Sequence, residues 1–161
     1  SRINKRSDNM NNTQIKILKS QFETQAQKEN RMYQINAVKA QKDIAQQVLS
    51  EVAASTPIDT GRAMSNWKAS SGSPDTEFML EAFTPGEKGT TRSQNFVQVL
   101  HENDPKIVQH KQGLLFISNN TPYIGELNAE HTPLFVQAAV MRASKLAINR
   151  ILISDPRVRR L

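Results

Sequence analysis

The stretch Thr56-Pro57-Ile58-Asp59-Thr60-Gly61-Arg62-Ala63 separates two kinds of chain. Pro57 fixes one φ, Asp59 offers an acceptor to nearby backbone amides, and Gly61 tolerates positive φ, so the segment reads as a turn. Upstream, from Ser1 to Thr56, there is neither Gly nor Pro, and Gln, Asn, Lys and Ala dominate, a composition that favours helix. Ile15, Leu18 and Phe22 recur at helical spacing, and Ile35, Val38, Ala45, Val48, Leu49 and Val52 continue the stripe. The pattern predicts a helix over about 13–54, with a break allowed near Lys28 to Arg31. The Asn-rich residues before Thr13 are expected to be loose or ordered by a partner.

Downstream the pattern shortens. Asn66-Trp67-Lys68-Ala69-Ser70 and Glu77-Phe78-Met79-Leu80-Glu81-Ala82-Phe83 read as strands joined through Gly72-Ser73-Pro74-Asp75 in a hairpin. Trp67, alternating with polar neighbours, is expected in the core. Thr84 to Ser93 is a polar loop. Asn95 to His110 fits either a helix or a strand followed by a loop, with Pro105 interrupting it. Gly113-Leu114-Leu115-Phe116-Ile117-Ser118 is the strongest strand signal, and Asn119 to Pro122 then turn into Tyr123-Ile124. Thr132 and Pro133 suit a helix start, with Val136, Val140, Ala143, Ala147 and Ile151 on its inner face to about residue 152. Asp155-Pro156 closes that helix. These elements predict an α+β domain in which a long N-terminal helix and a C-terminal helix pack on a small antiparallel β-sheet.

The 161 residues suit one domain, here taken as residues 31–153 behind a polar helical extension at 1–30 and before a basic tail at 154–161. The chain is 37% hydrophobic and 22% charged, and it has no cysteine, which removes disulfides and thiolate chemistry. No apolar run reaches membrane-spanning length, and Ser1 to Arg6 lead into no apolar segment, so neither a signal peptide nor an anchor is expected. The net charge of +6 is uneven. Lys and Arg against Asp and Glu count six to three over residues 1–30, nine to eleven over 31–141 and six to one over 142–161. Basic ends on a slightly acidic body fit arms that touch phosphate or an acidic neighbour, and equally a solvated surface with frayed termini. Arg157, Arg159 and Arg160 are the candidates for contact with DNA or an acidic partner.

Catalytic and metal motifs are weak. Asp59-Thr60-Gly61 is the tripeptide of aspartic proteases, but a long helix precedes it, and Arg62 would hold the carboxylate ionised against the shared proton that chemistry needs. Ser65-Asn66-Trp67-Lys68 fits the S-x-x-K pattern of serine acyltransferases without its companion motifs. His101, His110 and His131 lack the spacing of a metal site, and Gly86 and Gly89 lack the Lys-Ser/Thr that completes a phosphate loop. Tyr33, Trp67 and Tyr123 are too scattered for a base-stacking platform. Neither an enzyme nor a cofactor is expected.

Thr56 to Ala63 with Asn66-Trp67, followed by Ile117-Ser118-Asn119-Asn120-Thr121-Pro122-Tyr123-Ile124 with Leu127-Asn128, resembles the neck and tail-completion proteins of tailed bacteriophages. In that family a long helix leads to a P-V-D-T-G-R turn and an N-W strand, then N-x-x-P-Y near L-N-x-G-H, and finally an amphipathic helix. The order and spacing match over roughly residues 35–150. The chain departs from the pattern at Ala129-Glu130 before His131, and in the shortened insert Thr132-Pro133-Leu134-Phe135.

The resemblance implies a non-enzymatic virion protein, made in the host bacterial cytoplasm, that forms a homo-oligomeric ring around the DNA channel between portal-side and tail-side proteins. It implies fold-carrying roles for Pro57, Asp59, Thr60, Gly61, Arg62, Asn66, Trp67, Asn119, Pro122, Tyr123 and Asn128. Asp59 would brace the turn, Arg62 would pair with Asp59 or a neighbouring subunit, and Pro122-Tyr123 would fix the exit from the sheet. A tail-terminator-like or minor capsid protein and a basic nucleic-acid-binding module are the alternatives. Residues 1 to about 30 are expected to be disordered or only partly helical in an isolated subunit and to become ordered on a neighbour, because their apolar stripe is too thin to make a core alone.

Overall fold

The computed structural model describes residues 12–130 and 134–154, so His131, Thr132, Pro133, Arg157, Arg159 and Arg160 lie outside it. The chain divides into two compact units, Ser1–Ala37 and Val38–Leu161. Helix α1, Asn12–Ser55, contains the region 28–31 without the break that was allowed there. A stretch free of Gly and Pro gives the helix no reason to stop before Thr56-Pro57. In the first unit Thr24 to Met32 are exposed, and the Gln25 amide meets Glu29 one turn on at 3.4 Å. The side chains of Ile15, Leu18, Phe22 and Ile35 lie outside the description.

In the second unit α1 is followed by α2 (Arg62–Ser65), β1 (Trp67–Ser71), α3 (Arg92–Val108), β2 (Leu115–Asn119), α4 (Ile124–Ala129) and α5 (Phe135–Ser154). The two strands pair antiparallel, Trp67 opposite Asn119, Ala69 opposite Ile117 and Ser71 opposite Leu115. Leu49, Val52 and Ala53 of α1 meet Met64, Trp67, Ala69, Val99, Ile107, Phe135 and Ala139 in one core. Each fully buried Leu, Val or Ile there contributes about 2 kcal/mol. The architecture is α+β, with a long helix and a C-terminal helix around a small antiparallel sheet. No described helix is long and apolar enough to cross a membrane.

The hairpin between 66–70 and 77–83 does not form: β1 pairs with β2, and 77–83 has no strand partner. Side chains take the place of that partner. The Asn66 amide accepts from the Met79 N–H at 2.7 Å and donates to the Met79 carbonyl at 3.0 Å, while Ser65 Oγ accepts from Phe83 N–H at 3.1 Å. Asn95 repeats the device, accepting from Thr84 N–H at 2.8 Å and donating to its carbonyl at 2.9 Å. Asn103 does the same for the outer edge of β1, accepting from Ala69 N–H at 2.7 Å and donating to the Trp67 carbonyl at 3.0 Å. A primary amide carries one acceptor and a two-proton donor in the geometry of a peptide, so each asparagine satisfies both backbone groups of an extended segment.

Pro105 does not interrupt α3. The donor it removes would have served the carbonyl of His101, and both residues are exposed, so the freed carbonyl lies on the solvent side of the helix. The expected inner residues Ala143 and Ala147 of α5 are buried, together with Phe135 and Ala139, whereas Val140 is 38% exposed and Val136 is half-buried. Alanines at every fourth position bring the helix backbone close to the body, which the larger valines would prevent. The side chain of Ile151 lies outside the description. Asn119, expected in a turn, is the last residue of β2, and Ile124 opens a short helix.

The helix ends are satisfied from a distance. Arg92, in the first turn of α3, donates to the carbonyls of Ala54 at 2.8 Å and Thr56 at 3.2 Å, capping α1. Lys42 donates to the carbonyl of Val108 at 2.7 Å and caps α3. Arg142 reaches Glu51 and Ser55, and Arg150 reaches Gln47, so α5 runs antiparallel to the end of α1.

Candidate functional site

Residues 57–63 with Tyr123 and Leu127 line an open depression of about 460 Å³. The turn and the end of the sheet, more than fifty positions apart in sequence, thus share one surface feature. A second depression of about 470 Å³ lies across Thr60 and Arg62, with residues 81–82 and 85–87 as its far wall. Thr60 and Arg62 line both.

The turn that builds the ridge is held from behind. Trp67 Nε1 donates to Thr56 Oγ1 at 2.7 Å, and that hydroxyl donates to the Val52 carbonyl at 2.6 Å, tying the turn to α1 and to the core. Asp59 braces a neighbouring loop rather than its own turn: its carboxylate accepts from Lys88 N–H at 3.0 Å and its carbonyl from Gly89 N–H at 2.9 Å. Gly61 has φ 85°, and an added Cβ would collide with the Asn95 amide nitrogen. The pair expected between Arg62 and Asp59 is absent among the described residues, and the half-buried Arg62 guanidinium has no ion pair or hydrogen bond there.

Of the remaining motif residues, only Tyr123 lines the depression. Asn66 and Trp67 are interior, and Asn119 joins β2 to α2 through a 2.7 Å bond to the Ala63 carbonyl. Pro122 is exposed, and Tyr123 enters the depression just before α4. Asn128 caps α5: its Oδ1 accepts from Val136 N–H at 2.9 Å, a role that Leu134 at the helix start lacks the oxygen to perform.

Sequence reasoning missed Asn95, Asn103 and His110. The asparagines share one face of α3 with Val99 and Ile107, and a polar residue recurring inside an apolar stripe was the available signal. His110 is 2% exposed, its Nδ1 2.6 Å from Ser71 Oγ and its Nε2 2.8 Å from Gln41 Oε1. With the Gln41 oxygen as acceptor, Nε2 carries the proton and Nδ1 accepts from the serine. The trio ties α1 to the ends of β1 and α3. Among the described residues no group of three or more His, Cys, Asp or Glu could hold a metal ion, and His101 is exposed on α3.

The ridge offers a guanidinium, the Thr60 hydroxyl and a tyrosine face beside an acidic wall formed by Glu81 and Glu87. The guanidinium and the hydroxyl can donate to a carboxylate or to backbone carbonyls. Compared with protein-family models, with characterised proteins and with solved structures, the chain matches none.

Proposed function

We propose that this chain is a structural virion protein of tailed bacteriophages, a neck or tail-completion subunit that joins capsid to tail as a ring around the DNA channel. One observation carries the reading. The motif 57–63 and the motif around Tyr123 and Leu127, on which the sequence resemblance rests, meet in one depression. Matching residues that build a common surface are less easily a coincidence than matching residues scattered through the fold.

Three further features support it. The α+β body is tied by long-range side-chain bonds, as suits a subunit that must keep its shape under load. Arg62 stands at the surface without a partner among the described residues, ready for an acidic group of a neighbour. Large apolar side chains remain exposed on α3 and α5, as expected of a chain that finishes its burial by association.

The test is the mass of the purified chain by light scattering, with negative-stain images, at low and high salt. Closed rings with a central opening, or rings formed on connectors or tails, are the expected result. A persistent monomer that binds duplex DNA at low salt and releases it at high salt overturns the reading in favour of a nucleic-acid module.

A further inference from the structure

Helices α3 and α5 each give one face to the core and leave exposed apolar residues on the other, mixed with polar ones on α3. α3 buries Asn95, Val99, Asn103 and Ile107. Opposite them stand Gln94, Val97, His101, Asp104 and Val108, in steps of three and four, with Val97 63% and Val108 59% exposed. α5 buries Phe135, Ala139, Ala143 and Ala147. Opposite them stand Leu134, Ala138, Met141, Lys145 and Ile148, again in steps of four and three, with Leu134 40%, Met141 61% and Ile148 50% exposed. Steps alternating between three and four form the seam by which one helix packs on another, and the exposed valines of α3 and the Leu, Met and Ile of the α5 face stand at such steps.

Charge selects the occupant. The outer face of α3 carries one acidic residue, Asp104, and that of α5 carries one basic residue, Lys145. Neither has an ion pair or hydrogen bond among the described residues, whereas Arg142 and Arg150 of α5 are already held by α1. α5 contains no acidic residue, so α5 against α5 of another copy would gather only cations, and α3 against α3 would set Asp104 near its own copy. The unlike pairing is the complementary one. With Asp104 facing Lys145, Val108 meets Ile148 if the helices run parallel and Met141 if they run antiparallel.

We propose that the outer stripe of α3 in one copy of this chain docks on the outer stripe of α5 in a second copy, with Asp104 paired to Lys145. The contact deepens the ring reading and rests on it for closure. It joins unlike surfaces, so each added copy leaves one stripe free for the next, and the chain of contacts ends only when the ring closes.

The experiment measures self-association of the full chain by sedimentation velocity for the wild type, Asp104→Lys, Lys145→Glu and the double variant. Both positions are exposed, and circular dichroism of each variant checks that the fold is kept. Each single reversal is expected to weaken association roughly tenfold or more, and the double variant to restore most of it. Met141→Ser, which adds no charge beside Lys145, is expected to weaken it as well. Loss in both singles without restoration in the double shows that the two residues meet other groups, and overturns the pairing. Rings that form unchanged in all variants overturn this contact and leave the ring reading standing. A wild type that never associates, alone or on connectors, overturns both.

Discussion

Gly61 and Asn95 occupy adjoining space so closely that no side chain fits between them: the glycine holds φ 85°, and a Cβ there would collide with Asn95 Nδ2. That nitrogen donates to Thr84 and Thr91. Gly61→Ala therefore combines a left-handed backbone penalty with displacement of a buried amide. The expected loss is about 3 kcal/mol in chemical denaturation. Gly72 is the control, because its φ is 87° and nothing lies within 4 Å of the added Cβ, so Gly72→Ala should cost only about 1 kcal/mol.

Asn103→Asp keeps the shape of the side chain and removes its donors. The Nδ2 group serves the carbonyls of Trp67 and Val99, at 3.0 and 2.8 Å, and a carboxylate oxygen in its place would face two acceptors in a site 2% exposed. The expected destabilisation is about 3 kcal/mol. Asn103→Ala should cost about 2 kcal/mol and speed hydrogen exchange at the Ala69 amide, which then loses its acceptor. An Ala69 amide that exchanges at the wild-type rate in Asn103→Ala would refute the edge-capping role.

These asparagines also explain what could and could not be read from the sequence. The long first helix, the core position of Trp67, the strand after Gly113 and a final helix all follow from local signals: absence of breakers, alternation and an apolar run. Residues 77–83 carry a strand-like pattern too. Their partners, however, are the side chains of Ser65, Asn66 and Asn95, brought in from other elements, and nothing local distinguishes an amide that replaces a strand from one that faces water. On α5 the inner positions Ala143 and Ala147 were legible, but the first turns were not: the apolar spacing favours Val136 and Val140, whereas Phe135 and Ala139 are the residues buried. At the ridge, residues 57–63 were singled out from turn chemistry, but their meeting with Tyr123 and Leu127 depends on how β2 returns beside β1.

Arg92 caps a helix other than its own. Its guanidinium donates to the carbonyls of Ala54 and Thr56, where α1 has no basic residue in its last turn. Arg92→Ala should lower stability by about 1 kcal/mol. Arg92→Lys should recover only part of that loss, because an ammonium lacks the planar fork that spans two carbonyls. Thermal denaturation of the two variants beside the wild type decides it, and equal midpoints for Lys and Arg would show that charge alone suffices.

Trp67 and Thr56 form the link between core and ridge, so their coupling is measurable separately from burial. Trp67→Phe removes the Nε1–H donor while keeping most of the apolar area, and Thr56→Val removes both the acceptor and the bond to Val52. Each single change should cost about 1–2 kcal/mol, by the lost bond and the altered packing. In the double variant the bond between the two residues is lost only once. A coupling energy of about 1 kcal/mol in a double-mutant cycle is therefore expected. Since the turn follows directly from Thr56, hydrogen exchange at the Ser65 amide, which donates to the Gly61 carbonyl at 3.0 Å, should quicken in either single variant, with the rest of the fold protected as before. Strictly additive losses, or unchanged exchange at the turn, would show that the ridge is held by its own backbone and not by the tryptophan beneath it.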